Sequence, residues 1–158
     1  KYTPEQYLSA VEKIRRAMPD AAITTDIICG FPGETDSEFE ETKEFVKKAR
    51  FARVHVFPYS EREGTAAAKM KQLNKEVREK RAKELFEITE NIRAEFEESF
   101  IGSTHGVLFE QSAGGVSEGL TKNYLRIYVN SEKPLDSELH AVKITGRENG
   151  RLTGTLAD

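Results

Sequence analysis

Thr25-Asp26-Ile27-Ile28-Cys29-Gly30-Phe31-Pro32-Gly33-Glu34-Thr35 and His55-Val56-Phe57-Pro58-Tyr59-Ser60-Glu61-Arg62-Glu63-Gly64-Thr65 are the two stretches from which the fold is read. In each, a short apolar run reads as a buried strand and then breaks at Pro and Gly into a polar loop. Such strand ends present backbone to a ligand. Gly30 and Gly33 carry no side-chain bulk, so the amides of that turn can approach a bound molecule closely. Two ordinary strand-to-helix turns would give the same pattern, and the residues alone leave both readings open.

Working outward, Thr3-Pro4-Glu5-Gln6 is a capping box with Pro at the first helical position, and Tyr7, Leu8, Val11, Ile14 and Met18 follow at helical spacing. Met18-Pro19-Asp20 ends that helix, and residues 21–29 read as the first strand. Asp36 and Ser37, with Glu40, begin a second helix with Phe39, Thr42, Phe45, Val46 and Ala49 on its apolar face. Residues 53–59 are the second strand. Helix, strand, helix, strand predicts parallel strands with a right-handed crossover, a piece of an α/β sheet or barrel. In a barrel both polar loops fall on the C-terminal face, where such enzymes keep their sites.

A polar link carrying Arg62, Lys69 and Lys71 leads to Asn74, which caps a long helix to about Phe100. Its stripe is Val77, Leu85, Ile88, Ile92 and Phe96, with Ala82, Phe86 and Thr89 beside it and Gly102 as the stop. Glu76 with Lys80 and Glu79 with Lys83 are spaced as supporting pairs. Between Glu61 and Lys83 eight basic residues face four acidic ones, a local excess suited to phosphates or to a solvated helix face. After Ser103 the period changes from helical to alternating. Residues 107–110, 124–129, 140–145 and 152–156 read as short strands between Gly, Asn, Ser and Pro clusters, which suggests a small antiparallel barrel. The expected organisation is therefore α/β: residues 1–73 as barrel part, 74–102 as connecting helix and 103–158 as β domain.

Composition narrows the function. The 158 residues are 37% hydrophobic and 32% charged, with a net charge of −3, so the whole chain is not a polycation and any RNA contact must be local. Lys122, Tyr124 and Arg126 form one candidate contact set, an aromatic between two cations, which strand alternation would put on one face. A single cysteine, Cys29, excludes an intramolecular disulfide and suits a reducing compartment. It lies in an apolar run and reads as a small buried hydrophobe. His55, His105 and His140 are scattered without metal-ligand spacing, and no serine or cysteine sits in a nucleophile motif, so neither a metal site nor a catalytic residue is expected. No apolar run approaches the roughly 20 residues that span a membrane. The chain reads as cytoplasmic.

Asp26-x-x-x-Gly30-Phe31-Pro32-Gly33-Glu34-Thr35 followed by His55-Val56-Phe57-Pro58-Tyr59-Ser60-x-Arg62-x-Gly64-Thr65-x-Ala67 resembles the late barrel strands of the radical S-adenosylmethionine methylthiotransferases. Within them it is most similar to enzymes that methylthiolate threonylcarbamoyladenosine beside the tRNA anticodon. Ala66 departs from the pattern, where the family commonly has Pro. The run Gly119-Leu120-Thr121-Lys122-Asn123-Tyr124-Leu125 resembles the RNA-holding TRAM domain, an OB-like barrel that closes these enzymes. The resemblance implies a partial radical-SAM (β/α) barrel, tRNA as partner, and S-adenosylmethionine with two 4Fe-4S clusters as cofactors of the full-length enzyme. A reduced cluster would cleave S-adenosylmethionine, and a methylthio group would pass to the adenine ring. By motif match, Ile28, Gly30 and Phe31 would line the cofactor pocket from one strand, and Phe57, Pro58 and Tyr59 would wall its adenine from the next. Glu34 and Arg62 would order the loops at the mouth, and Lys69 and Lys71 would join Lys122, Tyr124 and Arg126 as RNA contacts.

One cysteine cannot hold either cluster. With Lys1 opening directly onto a helix, the chain reads as a C-terminal fragment, inert alone and prone to self-associate through exposed strand edges. A methylthiotransferase acting on a ribosomal-protein aspartate and a non-catalytic RNA-binding module are the alternatives. If Arg62 serves substrate, Arg62→Ala in the full enzyme is expected to depress methylthiolation while leaving cofactor binding largely intact, measured by turnover and by cofactor titration; unchanged turnover removes Arg62 from the site.

Overall fold

The computed structural model describes residues 2–157; Lys1, with which the sequence opens, and Asp158 lie outside them. The chain divides into two compact units, Lys1–Arg93 and Ala94–Asp158.

In the first unit, α1 (Pro4–Ala17) starts at the expected capping box: the Thr3 hydroxyl accepts from the Gln6 N–H and the Gln6 side chain accepts from the Thr3 N–H. Strand β1 (Thr24–Cys29) follows, then α2 (Asp36–Ala49), β2 (Arg53–Pro58), a 3₁₀ turn at Ala67–Lys69, and α3 (Lys75–Glu98), whose last turn belongs to the second unit. The cap of α2 is Thr35 rather than Asp36 or Ser37. Its hydroxyl accepts from the Glu38 N–H while Glu38 accepts from the Thr35 N–H, so a second capping box sits one residue earlier than the sequence suggested. At the other end of α2 the Arg15 guanidinium donates to the Ala49 and Arg50 carbonyls, both at 2.6 Å, a cation placed at a helix C-terminus. On α3 Glu79 pairs with Lys75 at 3.6 Å rather than with the expected Lys83, and Arg93 pairs with Glu90 at 3.1 Å.

Strands β1 and β2 pair in parallel, with Thr24 opposite Arg53, Ile28 opposite Phe57 and Cys29 opposite Pro58. One core joins Val11 of α1, Cys29 and Val54 of the sheet, Phe39 and Val46 of α2, and Ala82, Leu85 and Ile92 of α3. The other face of the sheet is open. Thr24, Asp26, Ile28, Arg53, His55 and Phe57 are all exposed there, although parallel sheets are ordinarily covered on both faces.

The second unit is a closed five-stranded barrel of β3 (Thr104–Ala113), β4 (Val116–Thr121), β5 (Arg126–Asn130), β6 (Leu139–Glu148) and β7 (Arg151–Leu156), ordered β3-β4-β5-β7-β6. The expectation of a purely antiparallel barrel is corrected at one seam, because β5 and β7 run parallel. The chain passes from β5 across the barrel end to β6 before the β6–β7 hairpin returns it beside β5. Val107, Phe109, Ile127, Val129, Val142, Ile144 and Leu152 fill the interior. Gly114-Gly115 turns the β3–β4 hairpin and Asn149-Gly150 the β6–β7 hairpin, each with both residues at positive φ.

Strand β4 has no counterpart in the sequence reading. Its inward positions are Ser117, Gly119 and Thr121, so the buried face is small and polar and the apolar alternation that marks a strand is missing. The reason is space. A Cβ on Gly119 would stand 2.4 Å from the Leu108 carbonyl oxygen and 2.7 Å from the Phe109 Cα, and the Ser112 and Ser117 hydroxyls, 2.8 Å apart, satisfy each other. Gly119→Ala is expected to cost the barrel roughly 1–3 kcal/mol, the usual scale of overpacking. Urea unfolding followed on the barrel checks it, and wild-type stability would mean that β3 and β4 can separate at no cost.

Candidate functional site

The parallel register brings the two polar loops to one edge. Gly30 follows Cys29 directly, Cys29 is opposite Pro58, and the Tyr59 N–H donates to the Cys29 carbonyl at 2.8 Å, one step beyond the last strand pair. The Phe31 and Tyr59 rings meet edge to face at 5.3 Å. Ile28, Phe31 and Phe57 are about half exposed and Pro58 is exposed, so an apolar patch lies beside turn backbone. Tyr59 is buried instead, and its hydroxyl has no hydrogen-bond partner.

The loop after β1 is held from within. Gly30 and Gly33 have φ of +70° and +87°, a region that side-chain-bearing residues avoid, and the Glu34 N–H donates to the Phe31 carbonyl. The Glu34 carboxylate folds back to accept the Gly30 N–H at 2.7 Å. That carboxylate is in turn fixed by Arg81 of α3, whose guanidinium donates to Glu34 Oε2 at 2.6 Å, to the Glu34 carbonyl at 3.0 Å and to Asp36 Oδ1 at 2.6 Å. Burial disfavours the Arg81 charge, but the bonds to Asp36 and Glu34 outweigh it and hold the guanidinium above its ordinary value. One turn earlier, Arg78 donates to the Tyr59 carbonyl at 2.8 Å. Its side chain lies on Gly30 so closely that a Cβ there would be 2.6 Å from Arg78 Cγ.

The sequence reading missed Arg78 and Arg81. Running the inward stripe of α3 backwards from Ile92 through Thr89, Leu85 and Ala82 at spacings of three and four lands on Arg78, with Arg81 beside Ala82. The two were counted instead among the eight cations between Glu61 and Lys83. Their inward position withdraws both from the surface excess. Arg62 is exposed, its carbonyl accepting from the Thr65 N–H and hydroxyl, and Lys69 and Lys71 are exposed beyond it.

On the barrel, the expectation that Lys122, Tyr124 and Arg126 share one strand face is corrected. Tyr124 is left-handed, with φ of +62°, in a turn where the Thr121 hydroxyl donates to Asn123 and accepts from the Leu125 N–H. Lys122 and Tyr124 therefore project from the turn between β4 and β5, and only Arg126 lies on a strand. Arg126 is engaged by Glu118 at 2.6 Å and Glu110 at 3.4 Å. Tyr124, 80% exposed, stands with Leu108 and Leu139 along a shallow groove of about 700 Å³ that also includes Lys122.

The donor chemistry separates the two implied cofactors. An apolar patch flanked by strand-end backbone suits a flat adenine ring as one wall of its pocket. An iron-sulfur cluster does not fit these residues, because the thiol of Cys29 is buried in the core and pushed up to about 11 by burial, with the Glu34 charge adding to it. Among the described residues no three His, Cys, Asp or Glu side chains gather as a metal site. No helix among them is long and apolar enough to cross a membrane.

The class defined by this geometry is a parallel α/β unit whose two Gly- and Pro-broken loops share one strand edge, joined in one chain to a five-stranded barrel. The Radical SAM superfamily profile matches residues 1–46. Along its whole length the chain is 40% identical, over 162 residues, to the tRNA-2-methylthio-N(6)-dimethylallyladenosine synthase of Geobacillus kaustophilus, covering 30% of that protein. It is 33% identical over 150 residues to the threonylcarbamoyladenosine tRNA methylthiotransferase MtaB of Bacillus subtilis, with 91% of this chain and 33% of that protein aligned. A synthase of the first kind from Saccharopolyspora erythraea is 46% identical over 114 residues, 72% of this chain and 23% of the relative. The chain spans about a third of the length of the curated relatives it matches. These matches relate it to the radical SAM superfamily and to tRNA methylthiotransferases.

The buried thiol yields a direct check. Folding holds Cys29 neutral, so its contribution to stability is full below the unfolded value of roughly 8.5 and is lost as pH rises toward about 11. Iodoacetamide is expected to label the native chain at least roughly a hundredfold more slowly than the urea-unfolded chain, read by mass spectrometry. Equal labelling rates would place the thiol outside the core.

Proposed function

We propose that this chain is part of a radical S-adenosylmethionine tRNA methylthiotransferase, in which it supplies one wall of the cofactor pocket and an RNA-contacting barrel. The observation that carries the reading is the shared strand edge: Cys29-Gly30 and Pro58-Tyr59 finish together at the ends of parallel strands, next to the open apolar face of Ile28 and Phe57. Ile28, Phe31 and Phe57 pack against the cofactor's adenine and exclude water, while the backbone carbonyls of Gly30 and Pro58 accept from its amino edge. When bound, the clusters and S-adenosylmethionine supply the radical chemistry and the methylthio group. With no cluster-ligating thiol the chain alone is inert, and the rest of the protein covers the open sheet face. The barrel is read as a TRAM domain, with Lys122 and Tyr124 meeting phosphate and base while Lys69 and Lys71 meet phosphate from the first unit. The enzyme works in the cytoplasm on its tRNA.

The substrate assigned is threonylcarbamoyladenosine, on the run from His55 to Ala67. A second reading, dimethylallyladenosine, is favoured by the names of the Geobacillus and Saccharopolyspora relatives. All these names favour tRNA over a ribosomal-protein aspartate. Nucleoside analysis of tRNA from a strain lacking the gene decides between them. Loss of the methylthiolated threonylcarbamoyl nucleoside alone is the expected result, loss of the dimethylallyl one assigns the second reading, and survival of both overturns a tRNA substrate.

A further inference from the structure

Four observations concern α3 rather than the strands. Arg81 is buried, with 7% of its side chain exposed, and places its guanidinium on Glu34 and Asp36. Glu34, 14% exposed, spends the same oxygen on Arg81 and on the Gly30 N–H. Arg78, three residues before Arg81, takes the carbonyl of Tyr59 at the end of the other strand. Its aliphatic stem lies where any side chain on residue 30 would stand. A helix needing only a core contact would place apolar residues at these positions, since burying a guanidinium costs solvation that the ion pair must offset. Here the two arginines reach past the core to backbone: one loop through Glu34, the other strand end through Tyr59.

We infer that Arg78 and Arg81 are positioning residues that clasp the two strand-end loops from behind and so set the geometry in which they receive the cofactor. The inference rests on the proposed function for the identity of the ligand, and on the contacts themselves for the clasp. Neither arginine touches the cofactor. Arg81 acts through Glu34: with its guanidinium in place, the carboxylate is held over the Gly30 N–H and the left-handed turn at Gly30 is closed. Without it, a carboxylate with little exposure loses its counter-charge and swings toward water, and the Gly30 amide is released. Arg78 holds the second loop at the Tyr59 carbonyl, so both walls are referred to one rigid turn of helix. Holding a binding group from behind is the role of the outer contacts around metal ligands, where losing such a contact costs roughly 10–100-fold in affinity or activity.

The test uses the full-length enzyme that carries this chain, reconstituted, with Arg81→Gln and Arg78→Met. The expected result is that the dissociation constant for S-adenosylmethionine, measured by calorimetry, rises about tenfold in Arg81→Gln while that for tRNA is unchanged. Amide exchange should quicken at residues 30–34 in Arg81→Gln and at residues 58–60 in Arg78→Met, with the core of each unit still protected. Unchanged cofactor affinity with an unchanged exchange pattern overturns the clasp. So does a uniform loss of protection with equal loss of both ligands, which marks a purely structural role. Should Arg81→Gln fail to fold, Glu34→Gln, which keeps the side-chain shape and weakens the same bonds, must release residues 30–34 locally; if it does not, the clasp is again overturned. A wild-type enzyme that does not bind S-adenosylmethionine removes the proposed ligand, whereas the exchange pattern still decides the clasp.

Discussion

Parallel pairing of β1 and β2 is the constraint on which the candidate site depends. In an antiparallel pair the two strands end at opposite edges, so Gly30 and Pro58 would be separated by a strand length. In the parallel pair both runs finish together, and the last ladder contact, Tyr59 N–H to the Cys29 carbonyl, ties the start of one loop to the start of the other. Parallel strands require a crossover, and α2 supplies it, packing Phe39, Val46 and Ala49 into the core shared with Cys29 and Val54. One face of the sheet is thereby covered. The strand ends are left at the rim of the other.

The buried ion pair behind that rim is not a source of net stability in the ordinary sense. Desolvating a guanidinium and a carboxylate costs several kcal/mol for each ion, about what their attraction returns, so an apolar pair of similar volume would hold α3 as well. What the ions add is direction. A leucine in place of Arg81 could fill space, but it could not hold the Glu34 oxygen over the Gly30 amide. Removing one partner alone leaves a charge with little access to water, which costs roughly 3–5 kcal/mol, and this makes the arrangement all-or-none. Lys43 repeats the theme one turn beyond Phe39 on α2, over the same ring that Arg81 meets. It is buried against the Phe39 ring and pairs with Glu40 and with Glu84 of α3, bonds that hold its ammonium above the ordinary range. Charged side chains thus tie α2 and α3 together where a small core has little apolar surface to offer.

The barrel uses the opposite device. Where β3 and β4 press together, residues are made small: Gly119 against the backbone of Leu108 and Phe109, Ser117 bonded to Ser112, and Thr121 turned onto the chain that follows it. Gly154 does the same on β7, where a Cβ would meet Val142 at 2.6 Å. The resulting curvature lets five short strands close, with Ile127, Val129, Ile144 and Leu152 filling the interior. Closure removes the free strand edges that a small open sheet would expose.

The sequence by itself determined whatever is written in near neighbours. Capping at Thr3, the helical stripes of α1 to α3, and the two apolar runs broken at Gly and Pro all follow from local sterics and period. The right-handed crossover fixed the parallel pairing as well, so the shared edge of the site was legible before any coordinates. Tertiary structure alone decided the rest. It made Ser117, Gly119 and Thr121 an inward face, put Tyr124 in a left-handed turn rather than on a strand, ran β5 parallel to β7, and turned Arg81 into a buried strut and Arg78 into a half-buried one. In each of these the residue type is ambiguous on its own chain. A serine, glycine or arginine is inward or outward according to what stands across from it, and that is a fact of the folded chain: for Arg81 the partner is Glu34, 47 residues away, and for Gly119 it is the backbone of the neighbouring strand.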